Sequence, residues 1–136
     1  LQELSAAALD AGGVRVLRDP TRGGVATTLS EFVEHSALSI ELDETAIPVD
    51  PQVEAACALL GLDPLYSACE GRMLAVTAPE TAEAVLQAMR RTPGGEGAAC
   101  IGRVTQSHPG HVVLRTAAGG SRLLGKLSGA QLPRIC

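Results

Sequence analysis

The sequence is poor in aromatic residues and has no concentration of positive charge. Its 136 residues contain no tryptophan, one tyrosine and one phenylalanine, although 46% of the residues are apolar. The core must therefore be built from leucine, valine, isoleucine and alanine. The eleven lysine and arginine residues are scattered and the formal net charge is −4, which argues against a nucleic-acid partner.

Long apolar runs and paired metal-ligand spacings are also missing. No apolar run approaches the roughly 20 residues of a membrane span, and no signal peptide is visible, so no membrane partner is expected. The four cysteines and three histidines have no spacing that predicts a metal site or a disulfide framework. These features favour a reducing, cytoplasmic location. Because the chain begins at Leu1 within a predicted helix, we expect it to be part of a longer protein.

Hydrophobic periodicity predicts four helices and six short strands. The helices are predicted at residues 1–11, 24–35, 51–60 and 79–91, and the strands at residues 14–18, 38–42, 72–77, 99–104, 111–115 and 121–124. Interleaved elements of this kind predict an α+β domain built on one mixed sheet, without a second domain. The predicted domain covers residues 1–125, and residues 126–136 are predicted to form a mobile tail.

A glycine-containing turn lies between the first strand and the second helix. At a helix N-terminus such a turn lets backbone N–H groups face an anion, and Arg22 adds a planar cation. A glycine pair at a helix start is also commonly just a tight turn, so both interpretations stand. The candidate phosphate- or nucleotide-binding residues are Asp19, Thr21, Arg22, Gly23 and Gly24.

Two further candidates are a carboxylate and a thiol. Glu70 lies in a turn just before a strand, where a carboxylate is usually solvated but serves as a general base if a cleft covers it. Cys136 is the last residue, and an extended tail from Lys126 could carry it roughly 33 Å. The adjacent terminal carboxylate disfavours the thiolate, so a reactive Cys136 would need an activating site elsewhere. The alternative is a frayed terminus that ends in cysteine.

Taken together, these stretches resemble the C-terminal domain of the HypE family of NiFe-hydrogenase maturation proteins. The resemblance covers essentially the whole chain. It is carried by the run Leu17-Arg18-Asp19-Pro20-Thr21-Arg22-Gly23-Gly24-Val25-Ala26-Thr27, by Ala46-Ile47-Pro48-Val49, by Leu62-Asp63-Pro64-Leu65-Tyr66 with Glu70-Gly71, and by the terminal Pro133-Arg134-Ile135-Cys136. Either the first run or the terminal motif alone would place the chain only among PurM-like (aminoimidazole ribonucleotide synthetase) ATP enzymes, or nowhere.

The resemblance implies an α/β/α layered PurM-like domain, partly ferredoxin-like in topology, within a homodimeric protein. ATP and Mg²⁺ would be held mostly by an N-terminal domain, so this chain alone would be inactive. The carbamoyltransferase HypF would place a carbamoyl group on Cys136, and ATP-dependent dehydration would convert it to S-cyanate (thiocyanate). The cyanide would then pass to iron on a HypC–HypD complex. Since this dehydration removes N–H protons, Glu70 is the candidate base.

One position departs from the family pattern, which has asparagine before the Glu-Gly pair. This chain has Cys69 there, a weak S–H donor in place of an amide, which puts the orientation of the substrate amide in doubt. Two other functions remain open. One is another PurM-like ATP enzyme, such as a selenophosphate synthetase or thiamine-phosphate kinase, which would have no use for a terminal cysteine. The other is a non-catalytic carrier or docking module that presents a thiol.

Overall fold

The structure, a computed structural model, describes residues 1–127, so the predicted motif at residues 133–136 lies outside the described residues. The helices are α1 (Gln2–Asp10), α2 (Gly24–Val33), α3 (Pro51–Leu60) and α4 (Ala82–Arg90). The strands are β1 (Val14–Arg18), β2 (Ser39–Asp43), β3 (Leu74–Thr77), β4 (Gly102–Thr105), β5 (Val112–Arg115) and β6 (Ser121–Leu124). Single 3-10 turns lie at Glu44–Ala46 and Pro64–Tyr66. All ten predicted helices and strands occur, with bounds shifted by three residues or fewer.

The local sequence determines both ends of helix α3. The Asp50 carboxylate accepts a hydrogen bond from the Gln52 N–H at 2.8 Å, and Pro51 occupies the first helical position. The helix ends at Gly61, whose φ of 66° is a left-handed conformation that glycine adopts easily. Cys57 of this helix is buried.

The chain forms two compact units, of which the first comprises Leu1–Asp19 and Glu70–Cys100. In this unit β1 and β3 pair antiparallel, and α1 packs against α4. Ala8 of α1 and Val85 of α4 are almost completely buried, so this small core is aliphatic, as predicted.

The second unit comprises Pro20–Cys69 and the described residues from 101 to 127. Its sheet has the order β4-β2-β5-β6, in which β2 and β5 are parallel and the other neighbours are antiparallel. Helix α2 packs against β2, β5 and β6. The buried apolar residues of this unit are Ala26, Leu29, Val33, Ile40, Leu42, Cys57, Leu65, Val112, Val113, Leu114 and Leu124.

The α+β class and the mixed sheet are confirmed, but the expectation that all strands share one sheet is wrong. Strands β1 and β3 form a two-stranded sheet of their own. Short half-buried strands with similar apolar content carry no local signal for which partner they choose, because pairing is decided by tertiary packing. The predicted boundary after residue 125 stays a prediction, since residues 128–136 are not described. Among residues 1–127, no helix is long and apolar enough to span a bilayer.

A carboxylate between two arginines links three strands of the larger sheet. Glu41 on β2 accepts hydrogen bonds from Arg103 on β4 at 2.9 Å and from Arg115 on β5 at 3.2 Å. The Arg103 hydrogen bond is the main cause that lowers the pKa of Glu41 below its usual value, and Arg115 adds to it. The Glu41 side chain is only 14% exposed, whereas those of Arg103 and Arg115 are 67% and 59% exposed, so water screens these ion pairs from the arginine side.

This cluster predicts a pH-dependent contribution to stability. Because the pKa of Glu41 is lower in the folded state, its stabilisation is present above the unfolded pKa of about 4.5 and is lost as pH falls through the folded pKa. We expect Glu41→Gln to lower the melting temperature at pH 7 and to narrow the wild-type difference between pH 7 and pH 4. Thermal melts across this range test it, with the exposed Glu80→Gln as control. Equal losses on acidification in wild type and Glu41→Gln would contradict the assignment.

Candidate functional site

The predicted phosphate-binding turn is a tight left-handed bend at the start of α2. Gly23 and Gly24 have φ values of 72° and 63°, a region that favours glycine. The Gly24 N–H donates to the Thr21 carbonyl at 3.2 Å, and the Thr27 N–H donates to the Gly23 carbonyl at 3.2 Å. No side chain caps the helix at Gly23. The chain therefore enters α2 through backbone geometry that requires glycine at both positions.

Gly24 also lies against the 3-10 turn at Pro64–Tyr66. A Cβ atom added to Gly24 would lie 2.5 Å from the carbonyl oxygens of Leu65 and Ser67, closer than any real contact allows. Gly24 is accordingly buried. The packing of α2 against this turn is thus a sufficient reason for glycine at position 24.

The Pro64–Tyr66 turn is itself fixed by Asp63. One carboxylate oxygen of Asp63 accepts from the Leu65 N–H at 2.9 Å, and the other pairs with Arg122 of β6 at 2.6 Å. Arg122 therefore ties the turn to the larger sheet. Leu65 of this turn and the adjacent Ser67 supply the carbonyl oxygens that face Gly24.

The structure brings together two motifs whose contacting residues lie 41 to 49 positions apart in the sequence. Besides the contact at Gly24, the Cys69 N–H donates to the Pro20 carbonyl at 3.1 Å. The Cys69 thiol faces the Ser67 carbonyl at 3.3 Å. Asp19 and Glu70, the sequence neighbours of Pro20 and Cys69, belong to the first unit. Both Asp19 and Glu70 are exposed.

The side chains around this turn differ in how well they suit a phosphate. Arg22 is exposed and Thr21 half-buried, so a guanidinium and a hydroxyl are accessible to an anion. The Gly24 N–H, in contrast, is already bonded to Thr21, and the position faces two carbonyl oxygens. The phosphate-binding role of all five predicted residues stays a prediction, with Arg22 and Thr21 the best placed. Residues 1–127 contain no cluster of three or more histidine, cysteine, aspartate or glutamate side chains suited to a metal ion.

A feature that the sequence did not predict is the path of the chain just after β6. The Gly125 N–H donates to the Tyr66 hydroxyl at 3.2 Å, and the Leu127 N–H donates to the Thr27 hydroxyl at 3.1 Å. Lys126 forms an ion pair with Glu34, which lowers the pKa of that carboxyl. The segment is thus held along α2. These partners are 59 to 100 residues apart, so no local pattern could have linked them.

Residues 1–115 match the domain family described as AIR synthase related protein, C-terminal domain. The chain belongs to this family. It is 57% identical over 124 residues to the carbamoyl dehydratase HypE of Cupriavidus necator, an alignment that covers 91% of this chain and 35% of that protein. The family member described here thus spans about a third of the length of that relative.

Solved structures of hydrogenase maturation proteins agree. The chain is 48% identical to HypE in a complex with ATP, with a TM-score of 0.86 over 94% of this chain and 39% of that one. It is 36% identical to HypE in a HypE–HypF complex, with a TM-score of 0.85 over 91% of this chain and 40% of that one. These likenesses confirm the resemblance to the PurM-like C-terminal domain of HypE that the sequence motifs indicated.

Proposed function

We propose that this chain is the C-terminal domain of a longer carbamoyl dehydratase that makes cyanide ligands for NiFe hydrogenases. The observation that carries the proposal is its 57% identity to a carbamoyl dehydratase. The Pro133-Arg134-Ile135-Cys136 motif supports it further, because the proposed substrate is a carbamoyl group carried on the Cys136 thiol. Other PurM-like enzymes have no use for this cysteine.

The proposed reaction converts Cys–S–C(=O)NH₂ into Cys–S–C≡N. The C–O bond breaks, the nitrogen loses both protons, and the oxygen leaves with phosphate, so that ATP hydrolysis and dehydration balance. An amide oxygen is a poor leaving group, and its developing charge needs stabilisation. Bound ATP with Mg²⁺ supplies the phosphoryl group for that oxygen. The residues of this chain must then orient the phosphate end and remove protons from the nitrogen.

Glu70 is the proposed base. It is an exposed carboxylate, so its oxygens are accessible to a substrate. A base must lie within about 3 Å of the proton it removes, so Cys136 must be brought to Glu70. The turn that contains Asp19, Thr21, Arg22, Gly23 and Gly24 is proposed to face the phosphate end of the nucleotide. Gly23 and Gly24 shape this turn, and Arg22 is proposed as the cation nearest the developing charge.

The remaining nucleotide and metal contacts are proposed to lie in the preceding part of the longer protein. We therefore propose that this chain alone does not catalyse the ATP-dependent reaction. The proposed partners are HypF as carbamoyl donor, HypC–HypD as cyanide acceptor and a second copy of the longer protein in a homodimer. We propose that the reaction takes place in the cytoplasm. The HypE–HypF complex among the similar structures supports the first of these partners.

Intact-mass spectrometry of the longer protein tests the proposal. Incubation with HypF, carbamoyl phosphate and ATP is expected to produce a carbamoyl adduct that then loses the mass of one water. An adduct that persists in the presence of ATP would instead identify a carrier module. No adduct at all would refute the dehydratase assignment and favour another PurM-like ATP enzyme.

A further inference from the structure

The residues just after β6 are held by side chains rather than by a sheet partner. Between Leu124 and Leu127, each residue in turn meets a different side chain. Tyr66 accepts from the Gly125 N–H, Glu34 pairs with Lys126, and Thr27 accepts from the Leu127 N–H. The Ser30 hydroxyl also approaches the Leu124 carbonyl at 3.3 Å, but its single proton is directed to the closer Ala26 carbonyl at 2.8 Å.

The order of these contacts gives the segment a direction. Leu124 lies beside Ser30 and Leu127 lies beside Thr27, so the chain runs towards the N-terminus of α2 as it leaves the sheet. Ser30 and Thr27 are three residues apart, which is about 4.5 Å along a helix axis. The backbone of the segment thus approaches the Gly23–Gly24 turn, while the Lys126 side chain pairs with Glu34 at the C-terminal end of α2.

Thr27 connects this segment with the proposed phosphate turn. A Cβ atom added to Gly23 would lie 2.2 Å from the Thr27 hydroxyl oxygen, so the same oxygen that accepts from Leu127 lies against Gly23. Thr27 is half-buried, as is Leu127. The last described residue of the chain is thus fixed within one helical turn of the proposed phosphate site.

We propose that Thr27, Glu34 and Tyr66 form an anchor that sets the point from which the end of the chain reaches into the reaction, with Thr27 as its main positioning residue. The mechanistic part of this inference rests on the proposed function. From Leu127, nine residues lead to Cys136, and they reach no further than about 30 Å. Counted from Leu124, the last residue of β6, twelve residues lead to Cys136 and the limit rises to about 40 Å.

The anchor therefore shortens the stretch of chain that leads to Cys136 from twelve residues, counted from Leu124, to nine, counted from Leu127. Since the effective concentration of a tethered group falls roughly as the −3/2 power of the length of its tether, releasing the anchor lowers that of the thiol about 1.5-fold. The expected effect on the reaction is a loss in rate of about 1.5-fold and not a complete loss. Two of the three anchor contacts involve the backbone N–H groups of Gly125 and Leu127, so the anchor requires little of the side chains beyond β6.

The single lysine of the chain provides a direct test. Endoproteinase Lys-C cleaves only after lysine, and Lys126 is the only lysine among the 136 residues. Cleavage of the 126–127 bond requires the anchored segment to detach. We expect Thr27→Val to accelerate release of the peptide of residues 127–136 by about 3- to 10-fold, the effect of losing one hydrogen bond. Thr27→Ser, which keeps the hydroxyl, is expected to restore the wild-type rate.

Two additional variants distinguish loss of the anchor from a local effect of the substitution at position 27. Tyr66→Phe removes a different hydroxyl of the anchor and is expected to accelerate cleavage in the same way. The matched control is Thr45→Val. It removes the hydroxyl of an exposed threonine that donates to Asp43 and takes no part in the anchor. Unchanged melting temperatures exclude global unfolding. Equal cleavage rates in wild type, Thr27→Val and Tyr66→Phe would overturn the anchor.

The mechanistic part is tested in the longer protein by single-turnover conversion of the carbamoyl adduct. Thr27→Val is expected to slow conversion about 1.5-fold, and Thr27→Ser to recover it; wild-type conversion in Thr27→Val would overturn the positioning role. Absence of any adduct in wild type would refute the proposed function, while the Lys-C comparison would still decide whether the anchor exists.

Discussion

Replacement of Glu70 by glutamine is expected to leave carbamoylation of Cys136 intact and to slow the subsequent dehydration by about 10²- to 10⁴-fold, the usual contribution of a general base. Glutamine keeps the size and the hydrogen-bonding ability of the side chain but cannot accept a proton. The carbamoyl adduct should therefore accumulate. Its mass, followed over time after mixing with HypF, carbamoyl phosphate and ATP, is the measurement.

The matched control for this variant is Glu80→Gln, which makes the same change at another exposed glutamate of the same unit. It is expected to dehydrate the adduct at the wild-type rate. If Glu70→Gln converts the adduct as fast as wild type, another group removes the protons. If Glu70→Gln is not carbamoylated, Glu70 acts in recognition of the carbamoyl donor and not as the base proposed here.

Gly24→Ala is expected to destabilise the protein by about 2–5 kcal/mol. A non-glycine residue in a left-handed conformation costs about 1–2 kcal/mol, and forcing extra volume into a packed position costs about 1–3 kcal/mol more. The added methyl group would meet the Leu65 and Ser67 carbonyl oxygens at 2.5 Å, and backbone atoms cannot move aside as a flexible side chain can. Urea unfolding at neutral pH measures the difference.

Gly61→Ala separates the two contributions to this loss. Gly61 has a similar φ of 66° in the same unit, but a Cβ atom there would meet nothing within 4 Å. We expect Gly61→Ala to cost only the backbone penalty of about 1–2 kcal/mol. Equal unfolding free energies for the two variants would show that the contact between α2 and the Pro64–Tyr66 turn does not dictate glycine at position 24.

Elements whose signals lie close together in the sequence were predictable. Asp50, Pro51 and Gly61 define both ends of α3, and the alternation of apolar residues located β2. Each signal acts within a few residues, because helix capping and the face of a strand to which a side chain points are both set by local backbone geometry. The same reasoning located the glycine pair at the start of α2 but could not assign its role.

Contacts between distant parts of the sequence were not predictable. Strands β1 and β3 pair in a sheet of their own, and the local sequence of these half-buried strands does not specify which partner each one takes. Tyr66 stood out only as the one tyrosine, and nothing near it indicated that its hydroxyl accepts from the Gly125 N–H. The reason for glycine at position 24 likewise lies 41 residues away, at Leu65. Such contacts follow from tertiary packing alone.

The most direct test of the proposed function is to locate the chemistry on one peptide. After reaction of the longer protein with HypF, carbamoyl phosphate and ATP, Lys-C cleavage after Lys126 releases residues 127–136, which end in Cys136. The account predicts that this peptide carries the carbamoyl adduct and that the adduct loses one water. An adduct confined to the rest of the chain, or one on this peptide that never loses water, would contradict it.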